Sequence, residues 1–212
     1  APYIEELRTL SDEKCPVFIT EYGAGSAMDL MRLPRICEQQ GTEGFVDRRN
    51  LFLEDWDRWH MADTFGRPED FFAQAVGAAA GKRLAGINAL RANPNIVGHL
   101  ITGGTDSWTG LGMIQTLRDP KPGMLDAIAD GCAPLRWCLF VEPVHAYCGS
   151  TLRLEAVVAN EDALSAGEYP ARLEVFGEQG GRVFERSVVV TIPDGSGGVE
   201  PPLAQPVLDE QI

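Results

Sequence analysis

The sequence is poor in the residues that most often build metal centres. Its three histidines, His60, His99 and His145, lie far apart, which argues against a histidine-ligated metal. The five cysteines (Cys15, Cys37, Cys132, Cys138, Cys148) form no CxxC pair, so a structural zinc site is not expected. The odd count and irregular spacing favour buried free thiols, since cysteine packs as a small hydrophobe. A disulfide between two of the last three stays open, and with it the redox compartment. No apolar run approaches the ~20 residues of a membrane-spanning helix, and no signal-peptide pattern opens the chain. Cations are short as well. Eighteen Lys and Arg stand against 31 Asp and Glu, a formal net charge of -13. Phosphate backbones and anionic membrane surfaces need clustered cations, so neither nucleic acid nor membrane is an expected partner. Also missing are GxxxxGK, HExxH and any Ser-His-Asp pattern, and no cofactor is expected.

What is present is an ordinary globular composition, 44% hydrophobic and 23% charged, with a change of period partway along. Residues 2–10 carry Ile4, Leu7 and Leu10 at helical spacing. Pro16-Val-Phe-Ile-Thr20 is a short apolar strand without polar alternation, the pattern of a strand buried on both faces. A long excursion over 26–67 holds weaker helical patterns around 27–40 and 51–61; excursions of this length tend to be functional. Pro68-Glu69-Asp70 opens a clear helix, with Phe72, Val76, Ala80, Leu84 and Ile87 as its apolar stripe, and Asn93-Pro94-Asn95 stops it. Ile96–Ile101 is a second apolar strand, followed by the glycine-rich Thr102–Trp108 and a short helix over 122–130.

Two strand–helix units of this kind are α/β in style. After Pro134 the period becomes two: Leu152, Leu154, Ala156 and Val158 alternate with Arg153, Glu155 and Val157, as in a strand buried on one face. Arg172–Phe176 and Val183–Ile192 continue the pattern, with Gly180-Gly181 as a hairpin turn. Residues 193–202 read as loop. The expected organisation is α/β over 1–134 and all-β over 135–212, with about five strands in the second part.

Glu21 is the first candidate for chemistry, because it stands where an apolar strand ends. Pro16-Val-Phe-Ile-Thr-Glu21-Tyr22-Gly23-Ala24 resembles the nucleophile strand of glycoside hydrolase family 2, the β-galactosidases, β-glucuronidases and β-mannosidases. Val97-Gly98-His99-Leu100-Ile101 with Asp106, and then Leu117-Arg118-Asp119-Pro120-Lys121-Pro122, resemble the family's eighth barrel strand and the segment leading into its last helix. The resemblance implies the last two βα units of a (β/α)8 TIM barrel over 1–134, then an immunoglobulin-like β-sandwich over 135–212, itself incomplete against ~7 strands. It implies a retaining glycosidase in which Glu21 is the nucleophile, a carbohydrate is the substrate, and Tyr22, Asp106 and Trp108 line the substrate.

The sequence departs from the family in two respects. The acid/base Glu of the fourth strand has no counterpart here. Two units also cannot close an eight-stranded barrel, so an N-terminal remainder of a parent enzyme is the expected partner, and this chain alone is expected to be inactive. The Trp that ends the family's eighth strand falls on Thr102, followed by Gly103-Gly104. The competing expectation is a carbohydrate-binding or interaction module that kept the scaffold without catalysis. A homo-oligomer stays open. Trp56, Trp59 and His60, with Asp55 and Asp57, read first as a helix packed by its Trp residues, His99 as a core histidine, and His145 as structural.

Overall fold

The computed structural model describes residues 2–11, 15–106, 110–115, 118–194 and 204–212. The chain mixes helices with antiparallel sheets and divides into two compact units. One comprises Ile19–Ala85 and His99–Asp130, the other Ala1–Phe18, Gly86–Gly98 and Gly131–Ile212. Among the described residues, no helix is long and apolar enough to cross a membrane.

Helix α1 is Pro2–Thr9 and strand β1 is Val17–Tyr22. The excursion folds into α2 (Arg32–Gln39), α3 (Val46–Arg58) and the short α4 (Ala62–Phe65). Helix α2 is shorter than the 27–40 pattern. The Asp29 carboxylate accepts from the backbone N–H groups of Met31 (3.0 Å) and Arg32 (2.8 Å), and its carbonyl accepts from Leu33 N–H (3.1 Å), the bonding of an N-cap, so helical hydrogen bonding begins at Asp29 and not at residue 27. Helix α3 begins five residues before its predicted start, at Val46. Of its two Trp residues only Trp56 packs, against Phe52, Phe65 and Phe71. Trp59 is 69% exposed, which corrects the expectation that both Trp residues pack this helix: it falls at the C-cap, beyond the packed face.

Helix α5 (Pro68–Arg91) starts where Pro and acidic residues predict. Arg67 donates to both Asp70 oxygens, at 3.0 and 2.8 Å. Ala79 and Ala80 let it lie close to Met124 and Ala127 of α6 (Met124–Gly131). Asn93 ends the helical run; its side chain donates to the carbonyls of Leu7 and Leu10 and accepts from the N–H of Asn95.

Strand β2 (Ile96–Ile101) is the neighbour of β1. Val17 N–H donates to Asn95 O at one end, and Thr102 N–H donates to Tyr22 O at the other, both at 2.8 Å. Sequence number rises together along both strands, so the pair is parallel. The two strands are not buried on both faces as their apolar sequences predict. Phe18 is 50% exposed, Val97 60% and Leu100 56%. A two-stranded pair has two edges, and among the described residues too little covers these side chains.

The other unit carries β3 (Leu135–Glu142), β4 (Arg153–Asn160), β5 (Gly167–Phe176), β6 (Arg182–Ile192) and β7 (Ala204–Gln211). They form two antiparallel sheets, β3-β4-β7 and β5-β6. The β5–β6 hairpin turns over 177–181, where Gly180 takes φ +77°. Strand β4 corrects the one-face expectation. Leu154, Ala156 and Val158 are buried, but so are Val157 and Ala159. Leu154 and Ala156 share a cluster with Leu208 that Leu173 and Phe184 pack against, and Val158 meets Val190 and Ile192. Val157 and Ala159 pack with Cys138 and Ala204, next to Ala92. A central strand with cover on both sides loses its alternation.

All five cysteines are free. Only Cys138 is buried; Cys15, Cys132 and Cys148 are exposed and Cys37 is intermediate, so the expectation of buried thiols holds for one. Loops hold the exposed three, where no packing demand acts on them. Burial pushes the Cys138 thiol up, against the pull of Arg91, Arg136 and Arg8. With Ellman's reagent, the native protein should release Cys15, Cys132 and Cys148 quickly and Cys37 more slowly. Cys138 should react only on unfolding; a fast reaction of all five in the native state would contradict this packing.

Candidate functional site

Successive side chains of a strand point to opposite faces, and the end of β1 uses both. Tyr22 is 2% exposed. Its hydroxyl donates to the Arg83 carbonyl at 2.8 Å, with Lys82 O at 3.3 Å, and its ring meets His99 edge-on at 6.1 Å. Tyr22 thus fastens the strand end to α5, and its hydroxyl is spent on backbone. Glu21 therefore turns to the other face. It is exposed, and among the described residues no hydrogen bond or ion pair reaches its carboxylate.

Behind this strand end lies Arg83, 0% exposed. Its Nη2 stands 3.4 Å from Ala24 O and 3.3 Å from Leu111 O, long contacts for a charged donor. Its Nε and Nη1 have no partner among the described residues. Burial lowers the pKa of this guanidinium, while Tyr22 acts in the opposite direction. Sequence reasoning missed Arg83, although a signal existed: it falls between Ala79 and Ile87 at i, i+4 steps on a buried stripe.

Asp106 is placed by the loop after β2. It is 8% exposed, and its Oδ1 accepts from Lys121 Nζ at 2.8 Å and from Gly112 N–H at 3.0 Å. Lys121, 2% exposed, also donates to Ser26 Oγ (2.8 Å) and Gly110 O (2.9 Å). A Cβ at Gly112 would overlap the Asp106 backbone, and Gly110 takes φ +69°, so both positions need glycine. Asp106 thus faces a lysine and a backbone amide. Lys121 and Ser26 were not singled out in the sequence; the lysine lay unmarked inside the Arg118–Lys121 motif.

With Asp29, Glu69 and Gln115, the pair lines a cleft of about 250 Å³, whose acceptors suit hydroxyl groups. Arg32 pairs with Asp119 and donates to Gln115 Oε1 at 3.1 Å. Trp108 lies outside the described residues. His99 is half-buried beside Tyr22, whereas His145 is exposed between β3 and β4. Among the described residues, no three His, Cys, Asp or Glu side chains are grouped to hold a metal.

No protein-family model matches the chain, and no curated protein matches it. A likeness does exist among solved structures, and it is to a glycosidase. The crystal structure of β-D-mannosidase from Dictyoglomus thermophilum superposes with a TM-score of 0.51 at 14% identity, over 99% of this chain and 25% of that one. At this identity the likeness is one of fold. The chain spans about a quarter of the length of that relative.

Removing one member of a buried ion pair strands the other. Lys121→Met should cost about 3–5 kcal/mol of stability, read by denaturant unfolding. Lys121→Met with Asp106→Leu should cost less than the sum of the two single changes; additivity would mean the pair is not coupled.

Proposed function

We propose that this chain is the nucleophile-bearing part of a retaining β-glycosidase. In this reading residues 1–134 supply the last two βα units of a (β/α)8 barrel, and residues 135–212 form an immunoglobulin-like sandwich. The observation that carries it is Glu21: a carboxylate exposed at the C-terminal end of a strand whose neighbour runs parallel, the place where barrel enzymes keep catalytic groups. The likeness of fold to a β-mannosidase over nearly the whole chain supports it, and makes β-mannosides the first substrates to try.

The ionised Glu21 attacks the anomeric carbon as the bond to the leaving oxygen breaks, giving a glycosyl ester. A second carboxyl, ~5–5.5 Å away, protonates the leaving oxygen and then takes a proton from the water that cleaves the ester. That second group comes from the N-terminal remainder of the parent enzyme. Tyr22 and Asp106 act one step back from the sugar, as positioning residues for the Glu21 strand and the following loop. A second reading, a carbohydrate-binding module without turnover, draws on the commitment of Asp106 to Lys121 and on the Thr102-Gly103-Gly104 segment in place of a strand-end Trp.

A leaving group as good as dinitrophenolate needs no acid catalyst, so Glu21 can be tested in this chain. Incubation with 2,4-dinitrophenyl 2-deoxy-2-fluoro-β-mannoside should add one fluoromannosyl group, mapped to Glu21 by peptide mass analysis and absent in Glu21→Gln. Sugar binding with no ester would favour the second reading.

A further inference from the structure

One residue, Arg83, holds the chain on both sides of Gly23. Its backbone carbonyl accepts from the Tyr22 hydroxyl at 2.8 Å, and its side-chain Nη2 stands 3.4 Å from Ala24 O. Residues 22 and 24, the first and third after Glu21, are thus fixed to a single position of α5. The same Nη2 stands 3.3 Å from Leu111 O, so it also joins the segment after β1 to the loop after β2. Gly23 allows the close packing between these points: a Cβ there would come within 3.0 Å of Thr102 Cγ2.

As a stabilising device this arrangement is poor. Arg83 is fully buried, and its Nε and Nη1 have no partner among the described residues. Both acceptors near Nη2 are neutral carbonyls at long range. A buried cation is costly unless a carboxylate and a full set of hydrogen bonds compensate it. Lys121 shows what compensation looks like in the same unit, with a carboxylate and two further oxygens around one ammonium. Methionine, unbranched and of similar length, would fill the place of Arg83 without a charge to bury. What methionine cannot do is draw Ala24 O and Leu111 O towards one point. Stability and this geometry therefore ask for different residues at position 83, and such conflicts concentrate at functional sites.

We propose that Arg83 is a positioning residue for Glu21. It sets the backbone of residues 22–24, and with it the direction of the Glu21 carboxylate, at the expense of stability. This role rests on the reading of Glu21 as the nucleophile. Among the described residues Arg83 makes no bond to that carboxylate; it acts through the chain. An exposed carboxylate without partners takes its place from the backbone that carries it. The rate of attack depends steeply on that place, by about 100-fold for a displacement of ~1 Å.

The test compares thermal unfolding with the rate at which 2,4-dinitrophenyl 2-deoxy-2-fluoro-β-mannoside esterifies Glu21. In that step the carboxylate bonds to the anomeric carbon as dinitrophenolate leaves. R83M should unfold at the same temperature as the unaltered chain or a higher one, and yet label about 10–100-fold more slowly. R83K keeps a cation and a donor for the two carbonyls, and should recover part of the lost rate. Equal labelling of R83M and the unaltered chain would overturn the proposal. So would a labelling loss that only follows a lower unfolding temperature, or R83K labelling no faster than R83M. If the unaltered chain forms no ester at Glu21, the glycosidase reading itself fails and this role falls with it, a result distinct from the other three.

Discussion

Lys121 reaches Asp106, Ser26 and the Gly110 carbonyl with one ammonium group, and these belong to segments far apart in sequence. Each partner alone would be a weak device. Together they satisfy all three donors of the lysine, and that is the condition under which a buried charge is tolerated. The loops after β1 and β2 gain their relation to each other from this point, because both contribute acceptors. Gly112 and Gly110 are the conformational price of bringing the backbone close enough to share in it.

The end of β1 shows how one strand serves two demands. Tyr22 goes inward and spends its hydroxyl on α5; Glu21, next in line, goes outward and stays free of partners among the described residues. The strand's period of two separates anchoring from chemistry without any further element. Arg83 belongs to the anchoring side. Its guanidinium is buried against backbone carbonyls rather than a carboxylate, beside Gly23 and Ala24, and burial lowers its pKa.

Legibility in the sequence followed the physics of each element. Helix α5 and strand β2 could be read because their start and stop signals are local: Pro68 with two acids, Asn93-Pro94, and an unbroken apolar run. Strand β7 could not. It reads Ala-Gln-Pro-Val-Leu-Asp-Glu-Gln; its buried residues Ala204 and Leu208 keep an even spacing, but the register shift beside Ala156/Val157 leaves Val207 without a partner in β4 and sends them to different clusters, Ala204 to Cys138 and Val157, Leu208 to Leu154 and Ala156. Asp106 was legible as a loop carboxylate at a strand end, but its commitment to Lys121 was not, because ion pairing between distant segments leaves no periodic trace. The exposure of Phe18 and Leu100 was hidden for another reason: an apolar strand states what it needs covered, and not whether cover is supplied.

Strand β4 has neighbours on both edges and packing on both faces, yet its two edge partners arrive at different times. Strand β3 precedes it in the chain, while β7 lies beyond the whole β5–β6 hairpin. During synthesis on the ribosome, β4 therefore emerges with one edge paired and the other open, and it stays so until β7 has left the exit tunnel. Val157, Val158 and Ala159 form a continuous apolar stretch that is exposed to other nascent chains for that interval. The fold thus leaves this apolar stretch waiting on β7, a strand about 45 residues downstream, for the cover of its second edge.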